Sequence, residues 1–143
     1  YEKSDEGEKL DIIAGDISVI DIWVKYVEAQ NIRDLEAINC MNAAAFEGRA
    51  ANGVILKGSE AHSAFLKKWF ATSNPSWEYS YAIANDVPQK DGTIHHWVTS
   101  SYTLTDIIDG KEVVSEDFFD VRIENGKIKY IFVASRAVIT EEE

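Results

Sequence analysis

Asn125-Gly126 constrains this chain more than any other pair of residues. It lies between two runs of β-branched and aromatic residues, 118–124 and 127–132. Both residues of a tight two-residue hairpin turn need φ > 0, which Asn and Gly tolerate best. Asp91-Gly92 and Asp109-Gly110 repeat the signal upstream. The spacing predicts four antiparallel strands over 77–87, 93–107, 111–124 and 127–138. These are roughly twice the usual strand length of ~5–6 residues. Twist accumulates along strands of that length, so the sheet must curl and carry bulges.

The first half of the chain reads as helical. Ile20, Trp23, Val24 and Val27 recur at helical spacing within 16–30, and Val19, Ile22 and Tyr26 form a second apolar stripe. Asn31 is expected to cap a second helix with Asp34 in its first turn, and Leu35, Ile38 and Met41 face inward. A loose stretch over 43–53 leads to a short extended piece at 54–56. A third helix opens at Gly58-Ser59, with Ser59 as its N-cap, and ends before Asn74-Pro75. The expected fold is α+β: a curved antiparallel four-strand meander plus a short edge strand, wrapped around the N-terminal helices as a cone or cystatin-like roll. Residues 16–138 form this one domain, preceded by an acidic, poorly ordered segment over 1–15 and followed by an acidic tail over 139–143.

Charge narrows the partners. A formal net charge of −11 repels the phosphates of nucleic acid. No run approaches the roughly 18 apolar residues of a membrane helix, so no membrane insertion is expected. Cys40 is the single cysteine and makes no intrachain disulfide. Tyr1 in place of Met is read as the mark of a removed segment, which leaves the compartment open. No Gly-rich phosphate loop, Gly-x-Ser-x-Gly elbow or cysteine cluster points to a cofactor. His95-His96 are adjacent on a strand and point to opposite faces, so they do not suit one metal ion.

Alternation sorts each strand into two faces. In 111–124 the odd set is Val113, Ser115, Asp117, Phe119, Val121 and Ile123, and Asp117 is its one carboxylate. A symmetric turn at Asp109-Gly110 sets Tyr102 opposite Asp117 and Val98 opposite Val121, and places His96 on the same face. A symmetric turn at Asn125-Gly126 sets Ala134 opposite Asp117 and Arg136 one diagonal step away, with Tyr130 also inward. The first strand contributes Trp77, Tyr79, Tyr81 and Ile83 by the same alternation. A buried carboxylate needs a proton or a partner, since desolvation disfavours its charge. Asp117, Tyr102 and Arg136 therefore form a satisfied ion-pair network, a ligand-orienting group or an acid–base site. His96 is a core histidine or an auxiliary proton carrier, and His62, beside Phe65, Leu66 and Trp69, marks the edge of the core.

Three stretches carry a resemblance: 25–29 with 34–38, Lys57-Gly58-Ser59-Glu60-Ala61, and Glu124-Asn125-Gly126-Lys127-Ile128. Over roughly residues 16–138 the chain resembles the nuclear transport factor 2-like superfamily, which includes SnoaL-like polyketide cyclases and steroid isomerases. The resemblance implies a cone-shaped pocket for a small hydrophobic ligand and a homodimer through the outer sheet face, where Trp97 would be covered. It places Tyr26 where steroid isomerases carry an oxyanion-hole tyrosine. Their general-base aspartate would fall near Arg49 or Ala50, with Glu47 the nearest carboxylate, and their second oxyanion-hole acid near Phe119. The residues and the resemblance together give a cofactor-free lyase, isomerase or cyclase for a hydrophobic carbonyl compound, or a non-catalytic ligand-binding or dimeric assembly module. Asp117, Tyr102, His96 and Tyr26 are the candidate catalytic residues. Tyr81, Trp69, Phe119, Tyr130, Arg136 and Glu47 are the candidate substrate contacts.

Overall fold

The computed structural model describes residues 1–139. Its elements are β1 (Glu2–Lys3), β2 (Lys9–Leu10), β3 (Ile13–Ala14), α1 (Ser18–Asn31), α2 (Leu35–Met41), β4 (Asn42–Arg49), β5 (Ile55–Lys57), α3 (Ser59–Thr72), β6 (Ser76–Pro88), β7 (Ile94–Ile108), β8 (Lys111–Glu124) and β9 (Lys127–Ala137). Seven strands form one sheet in the order β3-β6-β7-β8-β9-β4-β5, and its one parallel pair is β4 with β9. The meander follows the expected bounds within one residue at most ends. Asp109 and Asn125 adopt φ of 52° and 51°, and each following glycine has φ of 74°. These two turns set Ile108 against Lys111 and Glu124 against Lys127.

Two bulges lie where alternation alone gives no warning. In β6 the register shifts between Tyr79 and Tyr81, so Tyr79 opposes Tyr102 but Tyr81 opposes Ser101. In β9 it shifts beside Arg122 and Ile123, where Ile128 opposes Ile123 and Tyr130 opposes Arg122. Lys129 is the extra residue there. A one-residue slip moves every side chain beyond it to the other face. Tyr81, Ile83, Tyr130, Phe132 and Arg136 therefore leave the interior, Ala82, Ala84, Ile131 and Val133 take their places, and Ser135, itself exposed, turns to the cavity side.

The stretch expected to be loose holds β4. Asn42 and Glu47 to Arg49 pair with β9, and the Ala43-Ala44-Ala45 run, of little strand propensity, lies in the register shift between them. Asn31 ends α1 rather than capping α2. Its amide Nδ2 donates to the Trp77 carbonyl at 2.9 Å, and its Oδ1 accepts from the Trp77 backbone N–H at 2.9 Å. Asp34 is the α2 cap, accepting from the Ala37 N–H at 3.0 Å. Gly58, at φ 88°, precedes α3, and Ser59 is its first residue. The acidic segment expected to be poorly ordered pairs as β1–β2, and β3 extends the sheet edge at β6. Leu10 is buried, Lys9 stands 4.2 Å from the Tyr1 ring centroid, and Glu8 pairs with Lys90. The tail expected over 139–143 lies outside the described residues beyond Ile139. No helix among them is long and apolar enough to cross a membrane.

α1 packs against the concave face of the sheet through Trp23, which is fully buried. Its ring stacks on Tyr26 at 5.5 Å and tilts against Phe119 at 5.2 Å, while its indole N–H donates to Ser100 Oγ at 2.8 Å. Burying an indole requires a partner for that N–H, and Ser100 supplies it. Asp106, a second inward carboxylate, accepts from Trp69 Nε1 at 2.8 Å, Ser73 Oγ at 3.0 Å and the Asn74 N–H at 2.9 Å. These bonds tie the end of α3 to β7. Asn31→Ala removes both bonds to Trp77 and is expected to lower the unfolding free energy by about 1–3 kcal/mol in a urea titration.

Candidate functional site

A cavity of about 400 Å³ lies between α3, β4 and the concave sheet face. Trp23, Phe46, Phe65, Trp69, Trp77 and Phe119 form much of its wall, and residues 49–52 its rim. Such a lining removes a ligand's apolar surface from water at roughly 25 cal/mol per Å². Buried Gln30, His62 and Asp117 and the more exposed Arg49, Asn52 and Ser135 are its polar lining side chains.

Asp117 is 4% exposed and faces this cavity. The β7–β8 ladder places Tyr102 opposite it, as alternation and the Asp109-Gly110 turn predict. The bulge in β9 puts Ser135, not Ala134, on its other side. Asp117 Oδ1 accepts from Ser115 Oγ at 2.8 Å and from Ser135 Oγ at 2.6 Å. Its Oδ2 has no hydrogen-bond partner among the described residues. Arg136, expected beside it, is exposed on the outer face and donates to Glu116 Oε2 at 2.9 and 3.1 Å. The carboxylate is thus held by two neutral hydroxyls rather than by a guanidinium.

His62 is the second titratable group of the interior. It lies in the first turn of α3, three, four and seven residues before Phe65, Leu66 and Trp69, so helical spacing turns it to their side. That signal is present in the sequence, where it reads as the edge of the core. The ring is 6% exposed and stacks on Phe46 at 4.7 Å. Nδ1 stands 3.2 Å from Tyr26 Oη and 3.2 Å from Asn42 Nδ2. Burial pulls its pKa from the ordinary 6.5 down to about 4, so the imidazole is neutral near pH 7.

No protein-family model and no curated protein matches the sequence. Solved structures do match. A candidate polyketide cyclase from Xanthomonas campestris pv. campestris aligns with a TM-score of 0.69 at 17% identity, over 81% of this chain and 88% of that one. A candidate ketosteroid isomerase from Kribbella flavida aligns with a TM-score of 0.68 at 11% identity, over 91% and 86%. A protein of ketosteroid isomerase-like fold from Catenulispora acidiphila, solved in complex with trimethylamine, aligns with a TM-score of 0.64 at 17% identity, over 78% and 82%. The fold is the nuclear transport factor 2-like cone. At these identities the likeness carries the fold and no activity.

Within the cone the expected residues divide sharply. Trp69 and Phe119 line the cavity. Tyr26 is fully buried behind His62, and its hydroxyl donates to Asn42 Oδ1 at 2.8 Å. It does not reach the space where the resemblance places an oxyanion donor. Tyr102 lies one layer behind Trp23 and Phe119, with its hydroxyl buried and unpaired among the described residues. Burial pushes that phenol above its ordinary value. Tyr81 is half-exposed past the β6 bulge, and Tyr130 stacks on Trp97 and Phe132 outside the cone. Glu47 sits beside Tyr130 and pairs with Arg49 at 3.2 Å, leaving no carboxylate at the rim where the isomerase base would fall. His96 lies six residues from Tyr102 along β7, about 20 Å away at strand spacing, and pairs with Asp86 at 2.8 Å. Among the described residues no group of three His, Cys, Asp or Glu side chains is placed to hold a metal ion.

The depressed pKa of His62 links stability to pH. Between pH 6.5 and about 4 the unfolded chain holds a proton on this residue that the folded chain lacks. Its contribution is therefore complete above pH 6.5 and falls on acidification through that window, by roughly 3 kcal/mol at most. Urea midpoints measured across this range should drop more steeply for the wild type than for His62→Gln.

Proposed function

We propose that the chain is a small-molecule pocket protein of the SnoaL-like type that moves a proton on a hydrophobic carbonyl compound without a cofactor. The observation that carries this reading is the half-engaged Asp117 carboxylate. Oδ1 is fixed by Ser115 and Ser135 while Oδ2 has no partner among the described residues, in a cavity walled by aromatic rings. A buried carboxylate whose role is structural has its oxygens occupied, as those of Asp106 are. A free carboxylate oxygen beside apolar walls is the arrangement a general base needs, with geometry set before the substrate arrives. The apolar lining selects a ligand that is mostly hydrocarbon, and the trimethylamine complex of one structural neighbour supports a small ligand in this fold.

The reaction this supports is abstraction of a proton α to a carbonyl by Oδ2. The C–H electron pair passes into a new C=C bond as the carbonyl π pair moves to oxygen. Return of the proton elsewhere gives isomerisation, and loss of a β-substituent gives elimination. Exchange of the α-protons of cyclohexenone in heavy water, followed by proton NMR, tests the assignment. Wild type should accelerate the exchange, and Asp117→Asn should slow it by at least about 100-fold while the protein stays folded. Undiminished exchange in Asp117→Asn would remove Asp117 as the base. Tyr81, Ile83 and Phe118 also leave apolar surface exposed on the outer sheet face. That exposure supports a homodimer through this face, which light scattering should report as twice the monomer mass.

A further inference from the structure

If the cavity takes a carbonyl compound, as proposed above, its oxygen needs a donor, and neither Tyr26 nor Tyr102 offers one there. We infer that His62 is that donor, presenting Nε2–H to the substrate's carbonyl oxygen, and that Asn42, its amide oriented by the Tyr26 hydroxyl, is the positioning residue that keeps the proton on Nε2.

The argument is a count of protons in a closed cluster. Tyr26 has one O–H, and it goes to Asn42 Oδ1 at 2.8 Å. Ser59 has one O–H, and it goes to Asn39 Oδ1 at 2.9 Å, so Ser59 Oγ is free to accept from Asn42 Nδ2 at 3.2 Å. The second hydrogen of the same amide points at His62 Nδ1, also at 3.2 Å. A proton on Nδ1 would face that N–H head on. Nδ1 is therefore the acceptor, and a neutral imidazole then carries its proton on Nε2.

Packing aims that proton. Phe46 covers a ring face, and Tyr26 lies parallel at 6.3 Å. With Nδ1 occupied by the Asn42 amide, the Nε2 edge is the part left to the cavity that His62 lines. Tyr26 from α1 is the titratable group in contact with the ring, and Asp117 from β8 and Arg49 from β4 share the lining of its cavity; Asn42 and Phe46 from β4 and Ser59 on α3 bring no charge. When Asp117 takes the α-proton, negative charge develops on the carbonyl oxygen. A fixed N–H within a water-poor cavity stabilises that charge without reorganising. The N–H stays on nitrogen throughout, so the donor needs no proton from elsewhere to complete the cycle.

Two measurements on the full chain test this. Long-range proton–nitrogen NMR on histidine-labelled protein should show His62 as the Nε2–H tautomer from pH ~5.5 to ~8, with Asn42→Asp shifting it to a form protonated on Nδ1. An Nδ1–H tautomer or an imidazolium in wild type overturns the inference. Carbonyl-labelled cyclohexenone at saturation should show a downfield carbon-13 displacement that survives Asp117→Asn and His62→Gln but is lost in His62→Phe. α-Proton exchange should fall about 100-fold in His62→Phe, with partial recovery in His62→Gln. An unmoved carbonyl resonance in wild type, or the same displacement in His62→Phe, also overturns it. Loss of exchange in Asp117→Asn with the displacement intact speaks to the base alone, so the two assignments fail separately.

Discussion

The unbroken ladder between β7 and β8 is the constraint on which the rest of the cone depends. From Ile108 opposite Lys111 to His96 opposite Ile123, the two strands pair without a shift. Alternation along a ladder this regular commits Val98, Tyr102, Phe119 and Val121 to one face together. That face is the apolar surface on which Trp23 of α1 settles. The same regularity carries Asp117 inward, because it shares parity with Phe119 and Val121. A carboxylate would not be buried on its own account. It is carried in by the neighbours that gain from burial, and two hydroxyls then offset part of its desolvation.

On either side of that ladder the sheet bends. A bulge in β6 beside Tyr79 and another in β9 at Lys129 change which residues face the cavity. Long twisted strands need such places to curl, and each one re-aims the side chains beyond it. Arg136 is sent outside to Glu116, and Ser135 comes in beside Asp117. The exchange removes the full positive charge expected next to the site and substitutes a neutral donor. The cavity keeps the Asp117 carboxylate, the neutral His62 imidazole and aromatic walls, with Arg49 among residues 49–52 at its rim.

The two inward carboxylates differ in how their oxygens are engaged. Asp106 accepts from Trp69, Ser73, Asn74 and Ile107, and it joins α3 to β7. Among the described residues Asp117 has partners on one oxygen only. Full engagement marks a structural group, because a buried acceptor left unpaired costs free energy that a fold has no reason to carry. A similar contrast separates Tyr26 from His62. The tyrosine is held in the wall, and the histidine it contacts meets the cavity.

Much of the architecture is legible in the chain itself. Gly and Asn or Asp at the turns specify the hairpins, apolar spacing specifies α1 and α3, and the parity of 111–124 specifies Asp117 as the interior acid, because each of these is a local rule of backbone geometry. The bulges that reassign Tyr81, Tyr130 and Arg136 are not local. They arise from the curvature of the whole sheet, and no residue at Ser80 or Lys129 announces them. β4 is likewise a product of tertiary pairing, since Asn42 and Glu47 to Arg49 find their partners on β9, a segment remote in the chain. His62 shows its helical face in the sequence. Its hydrogen-bond partners come from α1 and β4, segments remote in the chain, and only the folded packing brings Tyr26 and Asn42 to its Nδ1.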